Sequence, residues 1–423
     1  MAKYGHYRHE EADIMPKPID LDMISERRGT ESVKWDTTPD GTIPMWVADM
    51  DFPVADCIRE AIFRRAVSDI YGYPLIPEAL YGSYISWWSE RHGMDIDREW
   101  MEFSTGVVPA INSIIRSMTG PSDKVLIQTP VYNVFFSSIR DSGRIPIEAP
   151  LTIKDGRYEM DFDSLERGLS DPGTGLMILC NPHNPVGRVW SAEDLARVAE
   201  LCERYGVICI SDEIHCDLTE PDVQYVPFLS VSDAARRIGI MCVSPSKTFN
   251  IAGIRSSMAV IPDRGMRERI RKGFSNDGIS KPNTFAADAT IAAFDQGGEW
   301  LDQVLDYISY NREEATSFIH EMLPELTLYG SEATYLLWIG IPYPIPDGKG
   351  PAEFLAKEAG VRFSEGSSFG ECGKGFVRMN IACPRSILEE GLTRLYKGVC
   401  LLRGHRYRYP RQEKNSLSLE GMS

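Results

Sequence analysis

Chemistry first shows in this sequence at a lysine in a hydroxyl-rich loop. The apolar run Ile240–Val243 feeds into Ser244-Pro-Ser-Lys247-Thr-Phe-Asn-Ile-Ala-Gly-Ile-Arg255. Ser244, Ser246, Thr248 and Arg255 offer hydroxyl and guanidinium donors of the kind that suit a phosphate. Alone, a lysine is more often a solvated surface charge. Four further segments carry reactive types. Cys180-Asn-Pro-His-Asn184-Pro-Val-Gly187 follows an apolar run, and its two prolines stiffen a turn from which Asn184 can aim an amide at a ring oxygen. Ser211-Asp212-Glu213-Ile214-His215 ends another run; a carboxylate there can pair with a cationic ring nitrogen or cap a helix. Ser104-Thr105-Gly106-Val107-Val108-Pro109-Ala110 reads as a glycine turn opening a helix, whose free N–H groups form an anion site. Arg378, inside the apolar Phe376–Ile381, needs an acidic partner, and a substrate carboxylate or a structural salt bridge would serve.

The elements that must position these residues follow from hydrophobic rhythm. Short apolar runs at Lys124–Gln128, Ile145–Glu148, Gly175–Cys180, Val207–Ser211, Ile240–Val243 and Met258–Ile261 alternate with amphipathic stretches. Helical spacing covers Pro53–Ser68, Leu80–Arg91 and Ser191–Tyr205, the last opened by Ser191 with Asp194 three residues on. This alternation predicts a mainly parallel, doubly wound α/β sheet, with ligands beyond the carboxyl ends of its strands. The motifs above fall in those strand-to-helix loops. Residues 1–50 read as irregular. A long helical stretch from Pro282 to Leu323 is followed by strands at Thr334–Ile339, Val361–Phe363 and Phe376–Ile381 and a helix at Ser386–Leu402, a smaller α+β unit. The division expected is an N-terminal segment 1–52 joining the small domain, a large domain 53–300, a small domain 301–403 and a polar tail 404–423.

Bulk properties narrow the classes. A chain of 423 residues exceeds the usual size of one core, which agrees with two domains. With 45 basic against 61 acidic side chains the net charge is −16, which argues against nucleic acid as a partner. No apolar run is long enough to cross a bilayer, and the N-terminus lacks the apolar core of a secretory signal, so no membrane partner is expected. Nine cysteines without a C-x-x-C pair read as reduced, buried thiols of a cytoplasmic protein. Cys202, Cys209 and Cys216 recur at seven-residue steps, but the change from helix to strand between them removes a shared face. No metal site is expected. No G-x-G-x-x-G follows the first strand, and Lys374 is followed by Gly375, so neither a nicotinamide fold nor a P-loop is indicated.

Asn184, Asp212, Lys247, Arg255 and Arg378, in this order and spacing, resemble the fold-type I aminotransferase-like enzymes that bind pyridoxal 5'-phosphate (PLP). The resemblance runs from about Ile43 to Leu402. Met45-Trp-Val-Ala-Asp-Met-Asp-Phe52, Tyr71-Gly-Tyr-Pro74, Asp212-Glu-Ile-His-Cys-Asp217 and Ser246-Lys-Thr-Phe-Asn250 are similar to the MalY/PatB group of cystathionine β-lyases, which cleave carbon–sulfur bonds. Ordinary aminotransferases of this class usually carry Tyr where His215 stands.

The resemblance implies a role for each residue. Lys247 would hold PLP as a Schiff base and then take the Cα proton; Asp212 would keep the pyridine nitrogen protonated, and Asn184 would bond the phenolic oxygen. Tyr132 would stack on the ring. Val107 and Val108 backbone, Ser244, Ser246 and Arg255 would hold the phosphate, with Tyr71 reaching the phosphate of a neighbouring subunit in a homodimer with shared sites. Arg378 would grip the α-carboxylate and the backbone near Ala48 would close over it, while His215 would line the ring pocket or pack beside it. The implied substrate is a small sulfur-containing amino acid such as cystathionine. Two alternatives stay open at this level: an aminotransferase using the same residues, and a non-catalytic binding protein on the same fold.

Overall fold

The computed structural model describes residues 19–329 and 331–404. The N-terminal residues read above for a leader, and the tail from 405 onward, lie outside the described residues. Seven strands form the large sheet: β1 (Met101–Ser104), β2 (Lys124–Ile127), β3 (Ile145–Glu148), β4 (Thr174–Cys180), β5 (Ile208–Asp212), β6 (Gly239–Val243) and β7 (Ser257–Val260). Their spatial order is β1-β7-β6-β5-β4-β2-β3. Neighbours are parallel except at β7, which runs antiparallel to both β6 and β1.

Two-sided burial explains why the central runs, β4 and β6 above all, are almost continuously apolar. On β4, Leu176, Ile178 and Cys180 face one core while Met177 and Leu179 face another, as the period of two requires. Helix Val107–Met118 covers the first face with Ile111, Ile114, Ile115 and Met118, spaced at one helical stripe. Helix Ala192–Tyr205 covers the other with Leu195, Val198, Ala199 and Cys202. Ser191 caps it, its Oγ accepting from the Asp194 N–H at 3.1 Å, and Gly206 at φ +68° ends it.

The smaller sheet contains β8 (Thr327–Leu328), β9 (Leu336–Gly340), β10 (Ser364–Glu365) and β11 (Phe376–Asn380), antiparallel in the order β8-β9-β11-β10. Ile43–Pro44 pairs in parallel with Val361–Arg362. Beyond it, residues 45–52 run as an irregular strap, with Asn380 N–H donating to the Met45 carbonyl and Asp51 N–H to the Ala382 carbonyl, both at 2.9 Å.

Several elements differ from the sequence expectation. The first fifty residues are not wholly irregular, since Val33–Asp36 forms a helical turn and Ile43–Pro44 a short strand. The stretch 282–323 divides into Ala286–Gln296 and Gly298–Met322. A glycine, Gly297, stands at the break, where a Cβ would lie 2.4 Å from the Ala293 carbonyl oxygen and 2.6 Å from a Phe249 ring carbon. A hairpin, Thr152–Lys154 with Arg157–Glu159, turns on Asp155-Gly156, both at positive φ. Cys202 and Cys209 do share a contact, because the helix lays one thiol against the strand that carries the other.

Candidate active site

Parallel strands bring their carboxyl ends to one edge of the sheet. Cys180 and Cys242 flank Asp212 in register, and β7, running the other way, delivers Ser257 to the same edge beside Ser104 of β1. A cavity of about 1200 Å³ opens there. It is larger than the roughly 300–1000 Å³ of a site for one small ligand, so it has room for a cofactor and a substrate together. Lys247, Asp212, Asn184, Tyr132, Val107, Val108, Ser244, Ser246, Arg255, His215, Arg378 and Ala48 all line it. Tyr71 does not; it is exposed, its hydroxyl donates to the Ala66 carbonyl, and its ring lies by Phe285.

Lys247 stands in the single-turn helix Pro245–Thr248 rather than in a loop, because Ser244 caps that turn through the Ser246 N–H. Its Nζ donates to the Ala48 carbonyl at 2.6 Å. Burial pushes its pKa down to about 8, against the pull of Asp49. Thr248, read above as a phosphate donor, faces away: it is buried and donates to Asp217 Oδ2 at 2.7 Å. Asp217 also accepts from Trp87 Nε1 and lies 2.9 Å from His92 Nε2, so this buried carboxylate pins the residue next to Lys247.

Asp212 caps no helix, since only turns follow it; its Oδ1 accepts from the Ile214 N–H at 3.2 Å. Burial drives its pKa up to about 7, with that N–H and Lys247 opposing. A carboxylate so placed gains most from a cationic partner. Burial likewise holds His215 down at about 3, so its ring is neutral; its buried Nδ1 has no hydrogen-bond partner among the described residues, and the ring meets Tyr335 edge-on.

Among the described residues Arg378 forms no salt bridge, so the structural ion pair is not what satisfies it, and the place of an acid stays open for a substrate carboxylate. Nη1 donates to Asn184 Oδ1 at 3.0 Å, Nη2 to the Trp46 carbonyl at 3.0 Å and to Ser364 Oγ at 3.3 Å, and Nε is left over. Burial lowers its pKa to about 10. The Asn184 contact fixes that side chain's orientation, leaving its NH₂ to donate. The Ala48 carbonyl faces Lys247 and the Tyr335 hydroxyl rather than Arg378.

At the other end of the cavity Gly106 adopts φ +136°, a backbone conformation open to glycine, and starts helix Val107–Met118. Its N–H donates to Ser257 Oγ, leaving the first N–H groups of the helix toward the cavity. Ser246 and Arg255 line the cavity as well.

Tyr335, Trp46, Ser364 and Asn250 escaped the residue-by-residue reading. Tyr335 is buried and donates to the Ala48 carbonyl at 3.0 Å. Asn250 Oδ1 accepts from the Met50 N–H at 3.0 Å while its Nδ2 donates to the Met50 and Phe52 carbonyls. Their sequence signals were a tyrosine before an apolar strand and an asparagine after Thr-Phe, neither of which names a partner 287 or 200 residues away.

Comparison with known proteins agrees with this geometry. The family model described as aminotransferase class I and II matches residues 45–395. Cystathionine beta-lyase PatB of Bacillus subtilis is 40% identical over 89% of this chain and 99% of its own length. Protein MalY of Escherichia coli is 32% identical over 91% of this chain and 100% of its own. Among solved structures, cystalysin from Treponema denticola, which contains a pyridoxal 5'-phosphate cofactor, superposes with a TM-score of 0.86 at 33% identity, covering 91% of this chain and 100% of that one. The PLP-bound C-S lyase from Staphylococcus hominis gives 0.84 at 31% identity, covering 90% and 99%. With its fold, its cavity and these matches in agreement, the chain belongs to the aminotransferase class I and II family.

Proposed function

We propose that this protein is a PLP-dependent carbon–sulfur β-lyase that cleaves cystathionine or a related cysteine S-conjugate to a thiol, pyruvate and ammonia. The observation that carries the reading is the convergence of Lys247, Asp212, Asn184 and Arg378, all buried or half-buried, on the lining of one cavity. The relatives named as cystathionine β-lyase and C-S lyase support the same reaction.

The residues fit PLP. Asp212 would hold a proton on the pyridine nitrogen, relieving the cost of its own burial. Asn184 would donate to the phenolic oxygen and Tyr132 would stack on the ring. Val107 and Val108 N–H groups, Ser244, Ser246 and Arg255 would take the phosphate. When bound, PLP supplies an electron sink for charge released at Cα. Arg378 would hold the substrate α-carboxylate, with Ala48 backbone beside it, which orients the Cα–H toward Lys247. A lysine with a lowered pKa spends more of its time as the free amine, so it can accept that proton near neutral pH. The Ala48 carbonyl would then receive the charged amine. His215, neutral, would shape the ring pocket.

The exposed apolar run Phe63, Val67, Ile70, Tyr71, Tyr73 and Leu75 supports a homodimer in which Tyr71 reaches the partner's phosphate end. Nine free cysteines support a cytoplasmic setting. Among the described residues no helix is long and apolar enough to cross a membrane. The division into a large domain 53–300 and a small domain 301–403, with 1–52 joining the latter, is supported by the pairing of Ile43–Pro44 with Val361–Arg362.

The test is pyruvate release from cystathionine with and without an added keto acid. Pyruvate without the acceptor is expected; pyruvate only with it would replace the lyase by an aminotransferase.

A further inference from the structure

Three guanidinium groups line the cavity, and only two have a task above. Arg255 is assigned to the phosphate and Arg378 to the α-carboxylate; Arg362 is unassigned. It lies over the Trp46 ring, its Cζ 3.9 Å from the centroid. Nη1 alone is engaged, donating to the Thr37 carbonyl at 2.6 Å and to Thr38 Oγ1 at 3.2 Å. Among the described residues no carboxylate lies within ion-pairing distance of it. The two acids on the same wall are already committed: Glu353 pairs with Lys349 at 2.6 Å, and Glu365 accepts the Ala352 N–H at 3.0 Å. Neither acid pairs with Arg362, whose charge has no carboxylate partner among the described residues.

Its position relative to Arg378 is set by one residue. Trp46 gives its carbonyl to Arg378 Nη2 and its ring face to Arg362, and the ring is fixed by Nε1 donating to the Lys34 carbonyl at 3.2 Å. The two guanidinium groups thus share a single tryptophan, and both line the cavity. Arg362 therefore belongs to the same cavity that would hold a ligand whose α-carboxylate sits on Arg378.

Resting on the lyase reading above, we infer that Arg362 is a specificity-determining residue that binds a second carboxylate on the thiol side of the substrate. The substrate class is then a cysteine S-conjugate whose departing thiol is itself an acid, cystathionine among them, in preference to cysteine or S-alkyl conjugates. A planar guanidinium with Nε and Nη2 uncommitted offers two parallel donors to that group.

The test compares cystathionine with S-(3-aminopropyl)-L-cysteine, the same molecule without its distal carboxylate, on the holoenzyme. Dissociation constants are read by stopped-flow from the absorbance of the bound cofactor before turnover. Wild type is expected to favour cystathionine by about ten- to hundredfold, the range of one charge-assisted contact. Arg362→Gln should collapse that ratio, and Arg362→Lys should restore part of it. A merely structural role through Thr37 and Thr38 would weaken both ligands alike and leave the ratio unchanged, which overturns the inference, as does a wild-type ratio near one. Pyruvate measured in the same mixtures without a keto acid reports on the lyase reading separately, because the ratio reads binding whichever product forms.

Discussion

Asn250 is where the strap 45–52 is most open to a quantitative test. One side chain makes three hydrogen bonds to it: Met50 N–H to Oδ1 at 3.0 Å, and Nδ2 to the Met50 and Phe52 carbonyls at 3.1 and 3.0 Å. At roughly 1 kcal/mol net each, their loss costs about 3 kcal/mol. The residue also sits at φ +56°, which asparagine tolerates and alanine pays about 1 kcal/mol or more to adopt. Asn250→Ala and Asn250→Gly therefore separate two effects. Both remove the acceptor of the Met50 amide, so hydrogen exchange in peptides covering 49–52 should speed up by about a hundredfold in both, following local opening. Only alanine carries the backbone strain, so its thermal midpoint should fall below that of the glycine variant. Since the Ala48 carbonyl that receives Lys247 is two residues away, kcat/KM should drop at least tenfold in each. Exchange at 49–52 within threefold of wild type in both variants would refute the clamp. Equal midpoints would refute the strain.

Other outcomes follow from the same cavity. Lys247→Ala should abolish turnover while far-ultraviolet circular dichroism and the thermal midpoint stay near wild type; retained turnover would remove Lys247 from the chemistry. Asp212 carries a pKa raised by burial to about 7 in the folded chain, above its unfolded value, so its ionisation weakens the cofactor-free fold as pH rises from about 4 through 7. Cofactor-free Asp212→Asn should accordingly be more stable than wild type at pH 8, with the gap in denaturant midpoint closing toward pH 4, while the cofactor-loaded variant loses most of its turnover. A gap that widens at low pH would contradict the sign. Tyr73 and Leu75 are 100% and 88% exposed, so the double change Tyr73→Glu with Leu75→Glu should convert a dimer to a monomer in sedimentation and cost activity through Tyr71; an unchanged sedimentation coefficient would move the interface elsewhere.

The sheet was legible because its physics is local. Fully buried parallel strands must be apolar on both faces, and β4 and β6 were read within one residue at one end and β5 within one at each end; β3, a partly exposed edge strand, was nonetheless read to the residue. The site residues at strand ends, Asp212 and Asn184, were legible for the same reason. Contacts made across the chain were not. That Arg378 meets Asn184 and Trp46 instead of an acid depends on how the small sheet packs on the large one, and no spacing encodes it. Thr248 points to Asp217 because a one-turn helix rotates it away from Lys247, a matter of a single residue's phase. The hairpin at Asp155-Gly156 carried its signal openly, but its strands are three residues each and mostly exposed, too short for periodicity to register.

The run Trp46-Val-Ala-Asp-Met50 shows how a motif with little chemistry of its own can govern a site. Irregular backbone in a partly buried place must still satisfy its carbonyls. Here each finds a side-chain donor: Trp46 takes Arg378 and Ser364, Val47 takes Asn380, Ala48 takes Lys247 and Tyr335, Asp49 takes Asn380 and Lys34, and Met50 takes Asn250 and Arg27. Lys247 comes from the one-turn helix after β6 and Asn250 from just beyond it, while Tyr335, Arg378 and Asn380 come from β11 and the approach to β9. The strap is therefore a row of acceptors read from both sheets at once, and the distance between Lys247 and Arg378 is set by the two carbonyls they hold, two residues apart. A substrate that draws Arg378 toward its carboxylate must compete with the Trp46 carbonyl, and one that frees Lys247 must compete with Ala48. With the roles proposed for Lys247 and Arg378, the strap, more than any one side chain, would set where the Cα proton lies relative to Lys247.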